Sequence, residues 1–509
     1  SMREWYEENS QGDVVIIGEA VGWYRMPRNY SYYVNQNYGL GGYPRNTQKL
    51  TEDAVSLANE DLDFSEFDND GDDIVDVVVI VFAGSGAEVQ PNNVNLIWSH
   101  AWELDNRLEV DGVLIRNFIC APEDGAIGVY GHELGHALFG LPDLYDGTGR
   151  SRGLGAWSMM SYGSWGNNGH TPVHFDAWCK FTLGWGRVIV IEQLTDQSIA
   201  PITQRGEIIY LNNPQGRENE YFLAEYRVRE NFDRFLPGEG LLIYHIDENK
   251  ENNNQVWRPG MDPQRHYKVA LEQADGNWDL ENNRNIGDAG DPYPGNSGNR
   301  TFDLNSTPDS RDYSGEPTGV RIWEIRNDEE RISARYDIWD SGEREAAQSI
   351  PLRDSWNLVS LRVVPPHRDI PRIVEQLNAN GNLLLVKDGR GRFYSPRYNY
   401  NDIPRWSETE GYFIKITRGV DWEIEGEVIH PQTPIPLQRG WQIIPYYPPY
   451  SLSAPQAFNS LGDALDIVKD GAGHFYVPRF NFNNIPQLTP GRGYLVKMNR
   501  ESELIYPRD

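Results

Sequence analysis

The chain has 509 residues, 39% of them hydrophobic, and its 16 Trp, 28 Tyr and 17 Phe give enough apolar material for three or four packed domains. A formal net charge of −29 excludes a nucleic-acid binder, because phosphate contacts need clustered Lys and Arg, and it suits a protein loaded with calcium. No apolar run is long enough for a membrane span.

Residues 3–195 alternate strand and helix signals, the pattern of an α/β domain. Val14-Val15-Ile16-Ile17 and residues 76–82 read as buried strands, being β-branched and bounded by polar turns. Residues 50–61 read as an amphipathic helix. In Asp68-Asn69-Asp70-Gly71-Asp72-Asp73-Ile74-Val75-Asp76, carboxylates stand at alternate positions. A tight loop with that spacing can wrap one hard cation, so Asp68, Asp70, Asp72 and Asp76, with the Ile74 carbonyl, are the expected calcium ligands. The loop is not a full EF-hand, since Asp73 stands where Gly is usual and Val79 where the bidentate Glu is usual. An acidic surface turn is the plainer alternative.

The most informative stretch is Gly131-His132-Glu133-Leu134-Gly135-His136-Ala137-Leu138-Phe139-Gly140-Leu141-Pro142-Asp143. On a helix beginning near Ala126, four residues turn about 400°, so His132 and His136 leave the same face and can hold one metal ion. Glu133 is turned about 100° from His132, beside the metal, where a base takes a proton from zinc-bound water. Gly140 can end the helix in the left-handed conformation, and Pro142 cannot continue it. Asp143 follows as the expected third ligand. In metzincin-type zinc proteases such a motif is followed by a turn whose Met lies under the metal. Here Trp157-Ser158-Met159-Met160-Ser161-Tyr162-Gly163 supplies Met160 for that place and Tyr162 as a hydroxyl for the metal or the oxyanion. Cys120 and Cys179 could form one disulfide or be two buried thiols. His100, His174 and His245 stand alone and read as structural histidines.

Residues 196–340 change character to short strands with Gly, Pro and Asn turns, the pattern of a β-sandwich. The acidic, Gly-rich loop Gly287-Asp288-Ala289-Gly290-Asp291 reads as a turn fixed by Asp side chains or as a metal site. Residues 340–348 read as a linker. Beyond it the chain repeats itself. Val386-Lys387-Asp388-Gly389 returns as Val468-Lys469-Asp470-Gly471, and Gly411-Tyr412 as Gly493-Tyr494. The tail is therefore expected to be two small β-rich domains, 349–428 and 429–509, with the matched aromatics in their cores. A cell-surface or glycan contact through these repeats is a further expectation.

With these residues in view, residues 3–340 resemble the immune inhibitor A family of secreted bacterial metalloproteases. The matching blocks are Gly18-Glu19-Ala20-Val21-Gly22-Trp23-Tyr24, residues 61–87 with Ile97-Trp98-Ser99-His100, residues 132–146 and 157–165, and the later stretches 236–247 and 272–276. The resemblance implies zinc-dependent endopeptidase activity, bound calcium and secretion. A secretory leader and any pro-segment are expected to have been removed, with Ser1-Met2 a cloning remnant. In two respects the sequence departs from the family. Three residues, Ala137, Leu138 and Phe139, separate His136 from Gly140 where the family usually has two, and the family's opening strand is missing before Arg3. A π-bulge at the helix end would absorb the extra residue; otherwise Asp146 or water would complete the zinc shell.

The expected architecture is a metzincin-like α/β zinc protease domain (3–195), a β-sandwich (196–340) and the two repeats. The expected activity is hydrolysis of peptide bonds in proteins through a zinc-activated water, with Glu133 as general base. The rival from another class is an inactive, protease-like surface or adhesion protein that displays the repeats.

Overall fold

Strands β1 (Val78–Phe82), β2 (His100–Val110) and β3 (Val113–Pro122) form a mixed sheet in the order β1-β3-β2. The computed structural model describes residues 1–192, 194–212, 217, 219–258, 260–328, 330–338 and 345–507. The chain divides into two units, 1–340 and 341–509. In the first, β3 is central and presents alternate residues to opposite faces. Phe118 and Cys120 join a core with Leu50 and Val55 of the helix Thr47–Ala58, whereas Ile119 joins another with Leu134 of the helix Ile127–Phe139. The sheet is thus layered between two helices, as the alternating sequence pattern requires. Cys120 and Cys179 are separate buried thiols.

Two expected strands differ from the reading above. β1 is an edge strand that leaves Val79 and Val81 about 40% exposed, so it is buried on one face only. Residues 14–17 are irregular, with Ile17 78% exposed, and among the described residues no strand pairs with them. A β-branched run forms a strand only where a partner takes up its backbone groups.

The expected boundary at 195/196 passes through continuous structure. β4 (Arg187–Ile191), before it, pairs in parallel with β6 (Glu207–Leu211), after it, while β5 (Thr195–Ile199) joins a different sheet. β6 continues into a five-stranded sheet, β4-β6-β7-β8-β9, with β7 Glu220–Arg227, β8 Gly240–Asp247 and β9 Val269–Leu271. One face of this sheet (Leu223, Leu242, Tyr244, Ile246) shares a core with Trp157, Met159, Met160 and Leu134. The other face (Phe222, Ala224, Leu241, Ile243) packs on β10 (Val320–Asn327) and β11 (Ile332–Ile338) through Ile322, Ile332 and Tyr336. The two facing sheets are sandwich-like, but the larger one is covered on both faces. β7 and β8 are therefore buried along their whole length, charged Glu225 and Arg227 included, and periodicity alone does not reveal the second covering layer.

In the second unit, the sheet of Ser355–Val359, Tyr412–Ile416, Leu383–Lys387, Phe393–Ser395 and Tyr400–Asn401 has a counterpart in Gly440–Ile444, Tyr494–Met498, Leu465–Lys469, Phe475–Val477 and Phe482–Asn483, in corresponding order. Of the expected linker, residues 340–344 lie outside the described residues, and 345–348 begin the strand Glu345–Leu352, which pairs with Val420–Val428. Matched aromatics do not all enter the cores. Tyr412 and Tyr494 are buried, but Trp356 and Trp441 are 46% and 49% exposed. Among the described residues no helix is long and apolar enough to cross a membrane.

The helix Ile127–Phe139 lies close to the segment that follows it. A Cβ at Gly135 would meet Met160 Sδ at 2.7 Å, and Cβ atoms at Gly128 and Gly131 would collide with the Ser164 carbonyl oxygen and with Met159 Cε. Gly128 faces backbone, which cannot swing away. Gly128→Ala is therefore expected to lower stability by about 1–3 kcal/mol despite its better helix propensity. Urea unfolding beside Gly42→Ala, where a Cβ meets nothing within 4 Å, checks this, and equal midpoints for the two variants would refute the close packing.

Candidate metal centre

Both imidazoles are oriented by backbone. His132 Nδ1 contacts the Met159 carbonyl at 2.9 Å, and His136 Nδ1 contacts the Leu141 carbonyl at 2.6 Å. A carbonyl only accepts, so each Nδ1 carries the proton and donates. In the neutral rings both Nε2 lone pairs then point into the site. Asp143 Oδ1 lies 3.1 Å from His132 Nε2 and 3.2 Å from His136 Nε2, and the two Nε2 atoms are 3.2 Å apart. Three donor atoms thus form a nearly equilateral triangle. Around a tetrahedral zinc with bonds of about 2.0–2.1 Å, neighbouring ligand atoms are about 3.3–3.4 Å apart. The set fits zinc in donor type, spacing and tautomer.

Without a cation the same atoms can coexist only by holding protons. Burial pushes His132 down, but the hydrogen bond to Asp143 and the charges of Glu133 and Asp143 outweigh it and raise it to about 9. Burial likewise opposes the charge on Asp143, yet both histidines hold its carboxyl well below the usual carboxylate range. Glu133 is 7% exposed, and burial raises its carboxyl against the pull of the two imidazoles. It is a buried carboxylate next to the ligand set, and among the described residues no Lys or Arg pairs with it.

Asp143 reaches the site through the helix end. Gly140 adopts φ 64°, and its N–H bonds to the carbonyls of both Gly135 and His136. The Leu141 N–H also reaches Gly135 O, six residues back, one more than in the usual glycine-capped ending. The extra residue after His136 is taken up in this widened terminus. Asp146, the alternative third ligand, is engaged elsewhere: it accepts from Thr148 and Ser151 and is 1% exposed.

The Met-bearing turn supports the site from beneath. Besides the Met159 carbonyl on His132, the Met160 carbonyl accepts from Leu144 N, next to Asp143. Met160 is fully buried and lies against Gly135, between the two histidines in sequence. Tyr162, the expected hydroxyl, is engaged by Arg152. Its hydroxyl accepts from Arg152 at 2.8 Å, and the same guanidinium lies over its ring. Tyr145, which sequence reasoning passed over, is nearer the ligands. Its ring is 6.2 Å from that of His132, and the Asp143 charge bears on its phenol. Burial, then the Asp143 and Glu133 charges, hold that phenol far above its ordinary value, so it remains a donor. Nothing in the spacing Asp143-Leu144-Tyr145 distinguishes such a tyrosine from a core aromatic.

In the acidic loop, Asp68, Asp70 and Asp72 bring carboxylate oxygens within 4.8 Å of one another. Asp76 is outside that trio, although their three charges act on its carboxyl after burial, the larger effect raising it. Backbone amides of residues 71–74 bond to the three carboxylates, which suits a cation loop and an acidic turn equally. His100, His174 and His245 are held by Thr47, Glu8 and Glu220 respectively.

Residues 1–184 match the family model described as the immune inhibitor A peptidase M6 catalytic domain. The pre-pro-metalloprotease PrtV of Vibrio cholerae serotype O1 is 28% identical over 295 residues, covering 51% of this chain and 32% of that protein. Immune inhibitor A of Bacillus thuringiensis subsp. alesti is 30% identical over 236 residues, covering 38% of this chain and 34% of that protein. The chain spans about a third of the length of these curated relatives. The match to the immune inhibitor A (M6) metallopeptidase catalytic domain thus spans the first 184 residues, which contain the helix Ile127–Phe139 and the turn beneath it.

Proposed function

We propose that this chain is a zinc-dependent endopeptidase that cleaves proteins or peptides outside the cell. The observation that carries the reading is the 3.1–3.2 Å triangle of His132 Nε2, His136 Nε2 and Asp143 Oδ1, with both Nδ1 protons committed to carbonyls. These three residues would hold the ion. When bound, Zn²⁺ acidifies water and polarises a carbonyl as a Lewis acid. Glu133 takes the proton of the attacking water; as the C–N bond breaks, it passes that proton to the leaving amine nitrogen. Its burial keeps the proton from bulk solvent between the two steps. Tyr145, a protonated phenol beside the site, and Tyr162, freed from Arg152, are the hydroxyls that would serve the oxyanion. A converged ligand set counts against the rival reading of an inactive display protein. Secretion rests on the resemblance, one relative being named a pre-pro-metalloprotease.

Structural calcium in the loop of Asp68, Asp70 and Asp72, with Asp76 and the Ile74 carbonyl completing the shell, belongs to the same reading. It would relieve the repulsion of carboxylates that face one another.

Glu133→Ala is expected to retain zinc and to lose about 10²–10⁴-fold in casein digestion; undiminished digestion would remove Glu133 from the mechanism. Asp143→Ala is expected to weaken zinc binding by more than the roughly 10–100-fold of an outer-shell change, whereas Asp146→Asn keeps its zinc. Competition with a zinc chelator measures both, and the reverse order would transfer the ligand role to Asp146. Asp70→Asn combined with Asp72→Asn is expected to leave the protein one calcium ion poorer. Elemental analysis showing unchanged calcium would reduce the loop to a turn.

A further inference from the structure

We propose that Asp275, Asp288 and Asp291 form a second calcium site, which braces the Met-bearing turn through Trp157. Their carboxylate oxygens lie within 4.8 Å of one another. Two oxygens on one calcium, each bonded at about 2.3–2.6 Å, cannot be more than about 5 Å apart, so the trio lies within reach of a single ion.

Proximity of acids alone would not make a site, but Asp291 adds an independent sign. It is 1% exposed. Its Oδ2 accepts from Trp157 Nε1 at 2.8 Å and from the Asp288 amide at 3.0 Å. Its Oδ1 is buried and, among the described residues, has no hydrogen-bond partner. A buried carboxylate oxygen without a donor is costly unless a cation or a proton meets it. The other two acids are oriented by their own turns. Asn277 donates to both oxygens of Asp275, while Gly290 N and Asn285 Nδ2 donate to Asp288. Gly290 passes so close that a Cβ there would meet Asp275 Oδ2 at 2.5 Å and Asp288 Oδ1 at 3.0 Å. The backbone thus threads between two carboxylates that are kept facing each other.

The chemistry selects the ion. All three donors are carboxylate oxygens on irregular turns, which suits the variable six to eight oxygens of Ca²⁺ better than the strict octahedron of Mg²⁺. The competing account is a proton on Asp291. Burial, then the charges of Asp288 and Asp275, do hold its carboxyl up at about 7, against the hydrogen bonds it accepts. A protonated Asp291 needs no metal, and the two accounts differ in their response to calcium.

The test uses the full chain carrying Asp70→Asn and Asp72→Asn, so that the first acidic loop does not contribute. After chelation and dialysis into calcium, this protein is expected to retain one calcium ion and to melt higher in millimolar calcium than in chelator, with magnesium giving neither effect. Adding Asp291→Asn is expected to abolish both the bound ion and the melting shift. Should that variant not fold, the partly exposed Asp275 and Asp288 carry the test: either Asp→Asn change should weaken calcium binding by at least about tenfold in a calorimetric titration. A background protein that retains no calcium, a melting response that survives Asp291→Asn, equal binding of magnesium, or undiminished affinity in both the Asp275→Asn and Asp288→Asn proteins would each overturn the proposal.

Discussion

Three electron-rich atoms held 3.1–3.2 Å apart are the constraint on which the rest of the first unit depends. Left to themselves, two imidazole nitrogens and a carboxylate oxygen would turn away from each other or take up protons. The fold prevents the turning by occupying the opposite edge of each ring with a backbone carbonyl. One of these carbonyls, from Leu141, belongs to the motif's own helix cap. The other, from Met159, comes from 27 residues further along the chain. The cap is therefore local, while the turn must be brought in by tertiary structure. Gly128, Gly131 and Gly135 line the helix where the turn approaches: a side chain there would run into the Ser164 carbonyl, the Met159 side chain or the Met160 side chain and push the turn away.

The turn is in turn fixed from the five-stranded sheet. Arg227 on β7 is fully buried, binds Asp233 through two nitrogens at 2.8 and 2.6 Å, and donates to the Trp157 carbonyl at 3.1 Å. Burying such a charge is worthwhile only with its partners in place, and removal of one partner costs about 3–5 kcal/mol. The Trp157 indole meanwhile bonds Asp291 on the far loop. A single residue thus joins sheet, loop and turn, and the shared core of Trp157, Met160, Leu223 and Tyr244 makes the joint rigid. The strands after residue 195 are not an accessory to the site; they are its foundation.

This explains what could be read from the sequence and what could not. His132, Glu133, His136, the helix and its stop at Gly140 follow from local periodicity and from one residue's backbone freedom, so their placement was legible. Asp143 was legible as a candidate ligand, but the way the cap absorbs an extra residue depends on hydrogen bonds that spacing does not encode. Tyr145 was missed, because an aromatic beside a ligand has no pattern of its own. At the expected boundary 195/196 the difficulty is of another kind. A short β-branched strand such as β4 looks alike whichever layer it joins, and only its pairing with β6 shows that structure continues across this position. Residues 14–17 show the converse: strong β propensity without a neighbour to pair with remains irregular.

The repeats supply an internal comparison. A residue kept in both copies while facing solvent is not kept by burial, so the 46% and 49% exposure of Trp356 and Trp441 asks for another cause. A ligand surface is one answer, but each indole already has a partner. Lys415 lies 5.3 Å from the Trp356 ring and Lys469 the same distance from that of Trp441. Tyr398 and Phe480, 73% and 74% exposed, have Arg397 and Arg479 over their rings at 5.7 and 5.8 Å. Exposed cation–π contacts of this kind contribute about 0.5–1 kcal/mol each. The Arg397 and Arg479 pairing recurs as a unit in both copies, whereas Lys469 is the counterpart of Lys387 and not of Lys415, so each exposed indole meets a lysine from a different strand of its sheet. The exposed aromatics are thus accounted for within the fold, and a glycan or cell-surface partner has to be argued from something other than their recurrence.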